Sequence, residues 1–420
     1  SATTCLLGVT AATGAQAQIT DDLEIDVAVL AYSETDRVRA LEPAIALKKT
    51  FDDESVLGFK LVLDTLTGAS HNGAAASEQA QTFTRPSGNG SYSADAKETP
   101  LDDTFRDTRI NLSGSYEHGI SRFEKLAWGA NVSNEYDFIS VGGSGTYFRD
   151  INQRNTTLSA GVSFEIDSIR AVGGFAEPLT QMKANTLAQN KEGGSHTREM
   201  VELLLGVTQI IDRYTLVQFN YGFALSDGEH NDPYKIISVL KPNGDLDPAN
   251  GLNGTYLYER RPDSRNKQSL FAKVKRFVSG DVADVSYRFM WDDWGIESST
   301  IDMHYRFNVS PGWYLEPHVR YYDQKEADFY RHSITNVEAQ NLPSYLSADY
   351  RLGSMQATTI GVKVGFLTPD GNESSVRLEY YQQQGDSSPS DALASQQNVD
   401  LYPTVNAVIL QYNYHFWMNV

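Results

Sequence analysis

Residues 301–309 read IDMHYRFNV, and residues 313–322 read WYLEPHVRYY. In the first stretch Ile301, Met303, Tyr305, Phe307 and Val309 alternate with Asp302, His304, Arg306 and Asn308. In the second, Trp313, Leu315, Pro317, Val319 and Tyr321 alternate with Tyr314, Glu316, His318, Arg320 and Tyr322. A period of two places one set of side chains on each face of a strand. One face here is apolar and aromatic, and the other carries full charges. Ser310-Pro311-Gly312 between them is a turn. If the turn is centred on Pro311, residues whose numbers sum to 622 face each other. Asp302 then meets Arg320, His304 meets His318, and Arg306 meets Glu316 on the charged face. Opposite charges meet, which supports the register. Pro317 lacks a ladder donor, so a bulge is expected there.

The same alternation recurs upstream at Val285–Trp291 and downstream at Val376–Tyr381. About sixteen such segments are expected, centred near 28, 43, 61, 111, 130, 145, 161, 204, 220, 271, 288, 304, 319, 360, 380 and 411. They run longer than the five or six residues usual in soluble sheets, and long enough to cross a bilayer tilted. Connections after even-numbered segments are short turns. Those at 69–103, 169–196, 227–263, 327–353 and 387–403 are long, polar and glycine-rich, and all follow odd-numbered segments. An even strand count with short turns on one side and long loops on the other is the pattern of an outer-membrane β-barrel. The expected fold class is therefore an all-β, antiparallel, up-and-down transmembrane barrel. The final segment places Tyr412, Tyr414 and Phe416 on one face, an aromatic ending expected to be read by the barrel-assembly machinery. Partners expected from this architecture are that machinery, membrane lipid and lipopolysaccharide.

Composition narrows the classes further. The 420 residues hold 35 basic and 54 acidic side chains, a net charge of −19. That balance excludes a nucleic-acid partner, which needs a basic footprint. Residues 1–17, SATTCLLGVTAATGAQA, end in the small-residue cleavage pattern Ala15-Gln16-Ala17 and read as part of a signal peptide. A single barrel domain is expected over 18–420. Cys5 is the one cysteine, so no internal disulfide can form. The stretch Ala2-Thr3-Thr4 before it does not favour lipidation.

The segments YSETDRV (32–38), QTFTRPSGNGSY (81–92), TPLDDTFRDTR (99–109), RNTTLSAGVSF (154–164), YERRPDSRNKQSLF (258–271), YRFMWDDWGI (287–296), ADFYRH (327–332) and VRLEYY (376–381) carry a resemblance. Over essentially the whole mature length the sequence resembles the bacterial family catalogued as domain of unknown function 3570. That resemblance implies an outer-membrane barrel without assigned activity. It also implies neighbourhood with a small lipoprotein, a thioredoxin-like protein and a flavin transferase, and so a possible lipoprotein or redox partner.

Arg288, Asp302, His304, Arg306, Glu316, His318, Arg320, Arg377 and Glu379 are expected to line the lumen. Mixed charges of this kind set selectivity by local field. His304 and His318 admit two readings, as ordinary polar liners or as metal ligands, and no third ligand stands out in the sequence. Arg260, Arg261 and Arg265 form a basic run that could capture an anion from a loop, or pair with loop carboxylates. The acidic runs at Asp102-Asp103, Asp227-Gly228-Glu229 and Asp292-Asp293 fit no calcium-loop spacing. No G-x-S-x-G, H-E-x-x-H or C-x-x-C-H motif occurs, so neither an enzyme nor a bound cofactor is expected. The expected function is a channel or transporter-like conduit for small polar or charged solutes. The alternative is a non-conducting docking barrel.

Overall fold

In the computed structural model, residues 22–419 are described apart from 36, 87–89, 249–251, 390–391 and 403. The signal-peptide reading of 1–17 and Cys5 lie outside the described residues. The architecture is a closed antiparallel barrel of sixteen strands, each paired with its neighbour in sequence. The ring closes where Asp22–Glu34 pairs with Val405–Asn419, with Ile25 opposite Phe416, Val27 opposite Tyr414 and Val29 opposite Tyr412. Barrel strands run from 11 residues (Glu124–Asn134) to 21 (Leu101–Ser121). Closure leaves no edge with unpaired backbone groups, which a bilayer requires.

Every segment expected from the alternation is a barrel strand. The outward set forms an apolar band: Leu112, Val132, Phe219, Leu270, Ile360 and Leu410 are all more than 40% exposed. Tyr412 and Tyr414 also face outward, and Tyr414 stacks on Phe416 at 5.1 Å. The hairpin Glu297–Ser310/Trp313–Gln324 keeps the expected register, with Asp302 opposite Arg320, His304 opposite His318 and Phe307 opposite Leu315.

Pro317 makes no bulge. The ladder skips Tyr305–Pro317 and Arg306–Glu316, then resumes in the same register. The missing N–H faces that neighbour only, because Pro317 still pairs with Val362 on its other side. Pro43 does the same, with the ladder to the next strand skipping from Leu41–Thr65 to Ala44–Val62. The bulge of this hairpin lies beside its turn, between Asn308 and Ser310.

The long connections are not the open polar loops their composition suggests. They fold together over one end of the barrel into a cap with apolar cores of its own. Its centre is Ile236–Leu240, a strand buried at every position. It pairs antiparallel with Thr255–Tyr258 and parallel with Ser333–Thr335, so two loops 75 or more residues apart make one small sheet. Around it, Ala74, Phe83, Met182 and Tyr256 from three loops pack with Ile236. Ile237, Leu257, Ile334 and Leu346 pack on the other face, and Ala75 and Ala76 pack against Val399 and Leu401.

Candidate functional site

The cap and the lumen below it form one system. The cap is tied to the barrel rim by polar contacts. Gln324 Nε2 donates to the carbonyls of Arg351 and Gly353 at 3.0 and 2.9 Å. Tyr402 donates to the carbonyl of Tyr350 at 3.0 Å and accepts from Gln383 at 3.0 Å. The Tyr234 hydroxyl bonds Asp137, and Arg37 lies 5.6 Å over the ring of Tyr350.

Inside the cap sits a balanced charge network of three acids and three bases. Arg261 is paired with Glu259 at 2.7 Å and with Asp349 at 2.8 Å. Arg351 bridges Asp349 and Asp232 at 2.5 and 2.6 Å. Lys235 donates to the carbonyl of His71. Burial raises the Asp349 carboxyl, but Arg351, Lys235 and Arg261 together outweigh it and hold it well below the ordinary range. At Glu259 burial prevails over Arg261, and its carboxyl is raised.

In the basic run Arg261 and Arg265 pair with loop carboxylates, whereas Arg260 is exposed. Arg261 is 9% exposed and its guanidinium is consumed by two carboxylates. Arg265 is held by Asp292, and Arg260 lies 5.9 Å over Tyr345. Carboxylates within reach are stronger partners than a dilute anion, because their entropy of association is already lost on folding.

Inward side chains change character along the barrel. Toward the capped end buried carboxylates hold part-exposed arginines: Asp64 holds Arg109, Asp167 holds Arg198 at 2.6 Å, and Asp292 holds Arg265. At the short-turn end Asp26, Lys48, Lys60, Ser115 and Lys125 face inward and stay exposed. The lumen is also two-sided. Gly58 lies opposite Ser115, Gly129 opposite Ser144, Ser159 opposite Gly206 and Gly222 opposite Ser269, a wall of small uncharged groups. The strands from 281 to 385 bring Asp302, His304, Glu316, His318, Arg377 and Glu379 together on their own inner face.

On that charged wall the sequence-predicted residues come together, though not in the pairs their register suggests. Asp302 reaches both histidines instead of Arg320: its carboxylate lies 3.0 Å from His304 Nε2 and 3.3 Å from His318 Nε2. Glu316 lies 3.5 Å from His304 Nδ1. Arg306 leaves Glu316 and stacks 3.5 Å over Tyr314. Glu379 bonds His318 Nδ1 at 2.7 Å, with Arg377 3.8 Å behind it. The two imidazoles stack, with centroids 4.1 Å apart and planes within 3°. Arg288 and Arg320 stand higher on the wall, and among the described residues neither pairs with a carboxylate within 4 Å. Asp302, two residues before His304 and so on the same face, brings a third group with metal-ligating chemistry beside the two imidazoles.

Gly361 makes this cluster possible. It lies in the row between His318 and Glu379, and a Cβ there would stand 2.4 Å from Glu379 Cγ. Only a residue without a side chain lets Glu379 reach across it.

Among solved structures, the CymD monoaromatic hydrocarbon channel is similar at 9% identity and a TM-score of 0.42, over 96% of this chain and 90% of that one. The siderophore receptor PirA from Acinetobacter baumannii is similar at 8% identity and a TM-score of 0.43, over 96% of this chain and 63% of that one. OccD1 (OprD) is similar at 9% identity and a TM-score of 0.39, over 96% of this chain and all of that one. At such identities the likeness extends to no individual side chain. No curated protein sequence matches the chain. The family model described as protein of unknown function (DUF3570) matches residues 1–416, and the chain belongs to that family.

Proposed function

We propose that this protein is an outer-membrane conduit for small polar or charged solutes, closed at its outer mouth by the cap and open to the periplasm. The apolar outward band and closed sheet support a membrane location. The short-turn end then faces the periplasm and the cap faces outward. The carrying observation is the gradient of exposure inside the lumen. In the periplasmic half the inward residues Asp26, Lys48, Lys60, Ser115 and Lys125 of the first strands are exposed, and the facing pairs of glycine and serine put little side-chain bulk into the lumen. A structural plug would fill that space with packed side chains.

The test is planar-bilayer conductance of the refolded protein, wild type against a variant in which residues 232–259 are replaced by a short Gly-Ser linker. The wild type is expected to pass little or intermittent current and the variant a steady one. A steady wild-type current would keep the conduit and remove the gate. Silence from both, with folding shown by heat-modifiable gel mobility, would overturn the reading. It would favour a non-conducting docking barrel whose open periplasmic end receives a lipoprotein or a redox- or flavin-linked partner. The observation on that side is the cap itself, more heavily cored than a gate needs to be.

In the steadily conducting variant, Arg288→Glu combined with Arg320→Glu is expected to shift ion preference several-fold toward cations. Unpaired charges on a lumen wall dominate its local field, about 4 kcal/mol at 4 Å in a medium of intermediate dielectric. Reversal potentials in a salt gradient check this. An unchanged potential would place these arginines off the solute path.

A further inference from the structure

The hydrogen bonding of the stacked histidines balances with protein groups alone only if both rings are protonated. Carboxylates only accept. Glu379, hydrogen-bonded to Nδ1 of His318 at 2.7 Å, therefore fixes the proton of that neutral ring on Nδ1, and Glu316 lies 3.5 Å from Nδ1 of His304. The Nε2 lone pairs remain, and both face the carboxylate of Asp302 at 3.0 and 3.3 Å. Three acceptors turned toward one another need positive charge between them. Two further protons would supply it, at the cost of two imidazolium rings stacked face to face at 4.1 Å. A single divalent cation supplies the same charge without that repulsion.

We infer that Asp302, His304 and His318 bind one divalent first-row transition ion of the zinc or copper(II) kind on the lumen wall, with Glu316 and Glu379 as positioning residues. The donor atoms lie within 4.8 Å of one another. Such ions take nitrogen ligands at roughly 2.0–2.1 Å, so the two parallel rings must turn to bring their in-plane lone pairs onto one ion. Imidazole nitrogen with carboxylate oxygen is the donor set these metals prefer over calcium or magnesium. A carboxylate behind each ligating imidazole fixes its tautomer and raises its basicity, and here both rings have one. Gly361 keeps that backing in place for His318. The side chains are between 11% and 27% exposed, so an ion arriving through the lumen can reach them.

The second trio in the lumen, Glu24, Asp26 and His415, lacks this imbalance. Lys48 already supplies a cation 2.8 Å from Glu24, and one imidazole rather than two is present. It serves as an internal control. The inference does not depend on whether the barrel conducts.

The test is a zinc titration by calorimetry of the full-length refolded barrel in detergent. The wild type is expected to bind one equivalent that disappears in His304→Ala/His318→Ala and persists in His415→Ala. Glu379→Gln is expected to weaken it about 10–100-fold, the usual effect of removing a backing carboxylate. Copper(II) provides a readout free of any folding defect in the double variant. The wild-type electron paramagnetic resonance spectrum is expected to show coupling to two imidazole nitrogens, and His318→Ala to one. Zinc binding that survives the double variant would overturn the inference, as would a wild-type copper spectrum without imidazole nitrogens.

Discussion

Asp349→Ala is expected to loosen the cap and leave the barrel standing. Proteolysis within 229–263 and 325–354 should rise by one to two orders of magnitude, while heat-modifiable mobility of the barrel is kept. The reason lies in what the substitution strands. Asp349 is fully buried and accepts from two guanidiniums. Removing it leaves Arg261, with a side chain only 10% exposed, against Glu259 alone. Breaking a buried pair from one side costs about 3–5 kcal/mol, because the remaining charge stays desolvated. Arg351 adds less, since its side chain is 54% exposed and can turn toward water.

The barrel is insulated from that loss. Its sixteen ladders are backbone bonds between neighbouring strands, and none runs through Asp349. The cap is a separate cooperative unit whose apolar clusters are built from loop residues, so it can open while the ladders persist. Arg261→Met combined with Glu259→Gln and Asp349→Leu should restore much of the resistance, because no buried charge is then left without its partner. Unchanged protease resistance in Asp349→Ala would mean that the apolar clusters hold the cap without the charge network.

The cap also marks where the sequence stops being legible. A barrel strand declares itself locally, because lipid on one side and water on the other force an alternation that any ten residues display. Asp302–Asn308 shows it in one reading, and its pairing with Tyr314–Arg320 follows from the turn between them. The cap has no such local rule. Ile236–Leu240 is a short apolar run between two lysines. Nothing in it announces a central strand, because its partners Thr255–Tyr258 and Ser333–Thr335 come from different loops. The burial of Arg261 depends on Asp349, 88 residues away. At the site, register was legible but side-chain choice was not. Cα opposition put Arg320 across from Asp302, yet two imidazoles on the same face compete for that carboxylate and win. The stack over Tyr314 that draws Arg306 from Glu316 likewise depends on Gly365, where a Cβ would stand 2.1 Å from the tyrosine ring.

Leu112→Arg is expected to destabilise the barrel by about 2–4 kcal/mol in lipid, the cost of a guanidinium placed near mid-bilayer on the outer face of such a barrel. Leu112 stands midway along Leu101–Ser121, 41% exposed, with Leu61 and Val132 beside it in the apolar band. Ser115→Arg, three residues on, is the discriminating control. It has opposite parity, faces the lumen and is exposed, so its charge stays in water and the cost should fall below about 1 kcal/mol. Reversible unfolding in lipid vesicles measures both. The comparison separates a membrane barrel from a soluble one, because in water an arginine at either position would be solvated and the two substitutions would cost nearly the same. The ratio of the two effects therefore reads out the solvent on each face, independently of what the lumen carries.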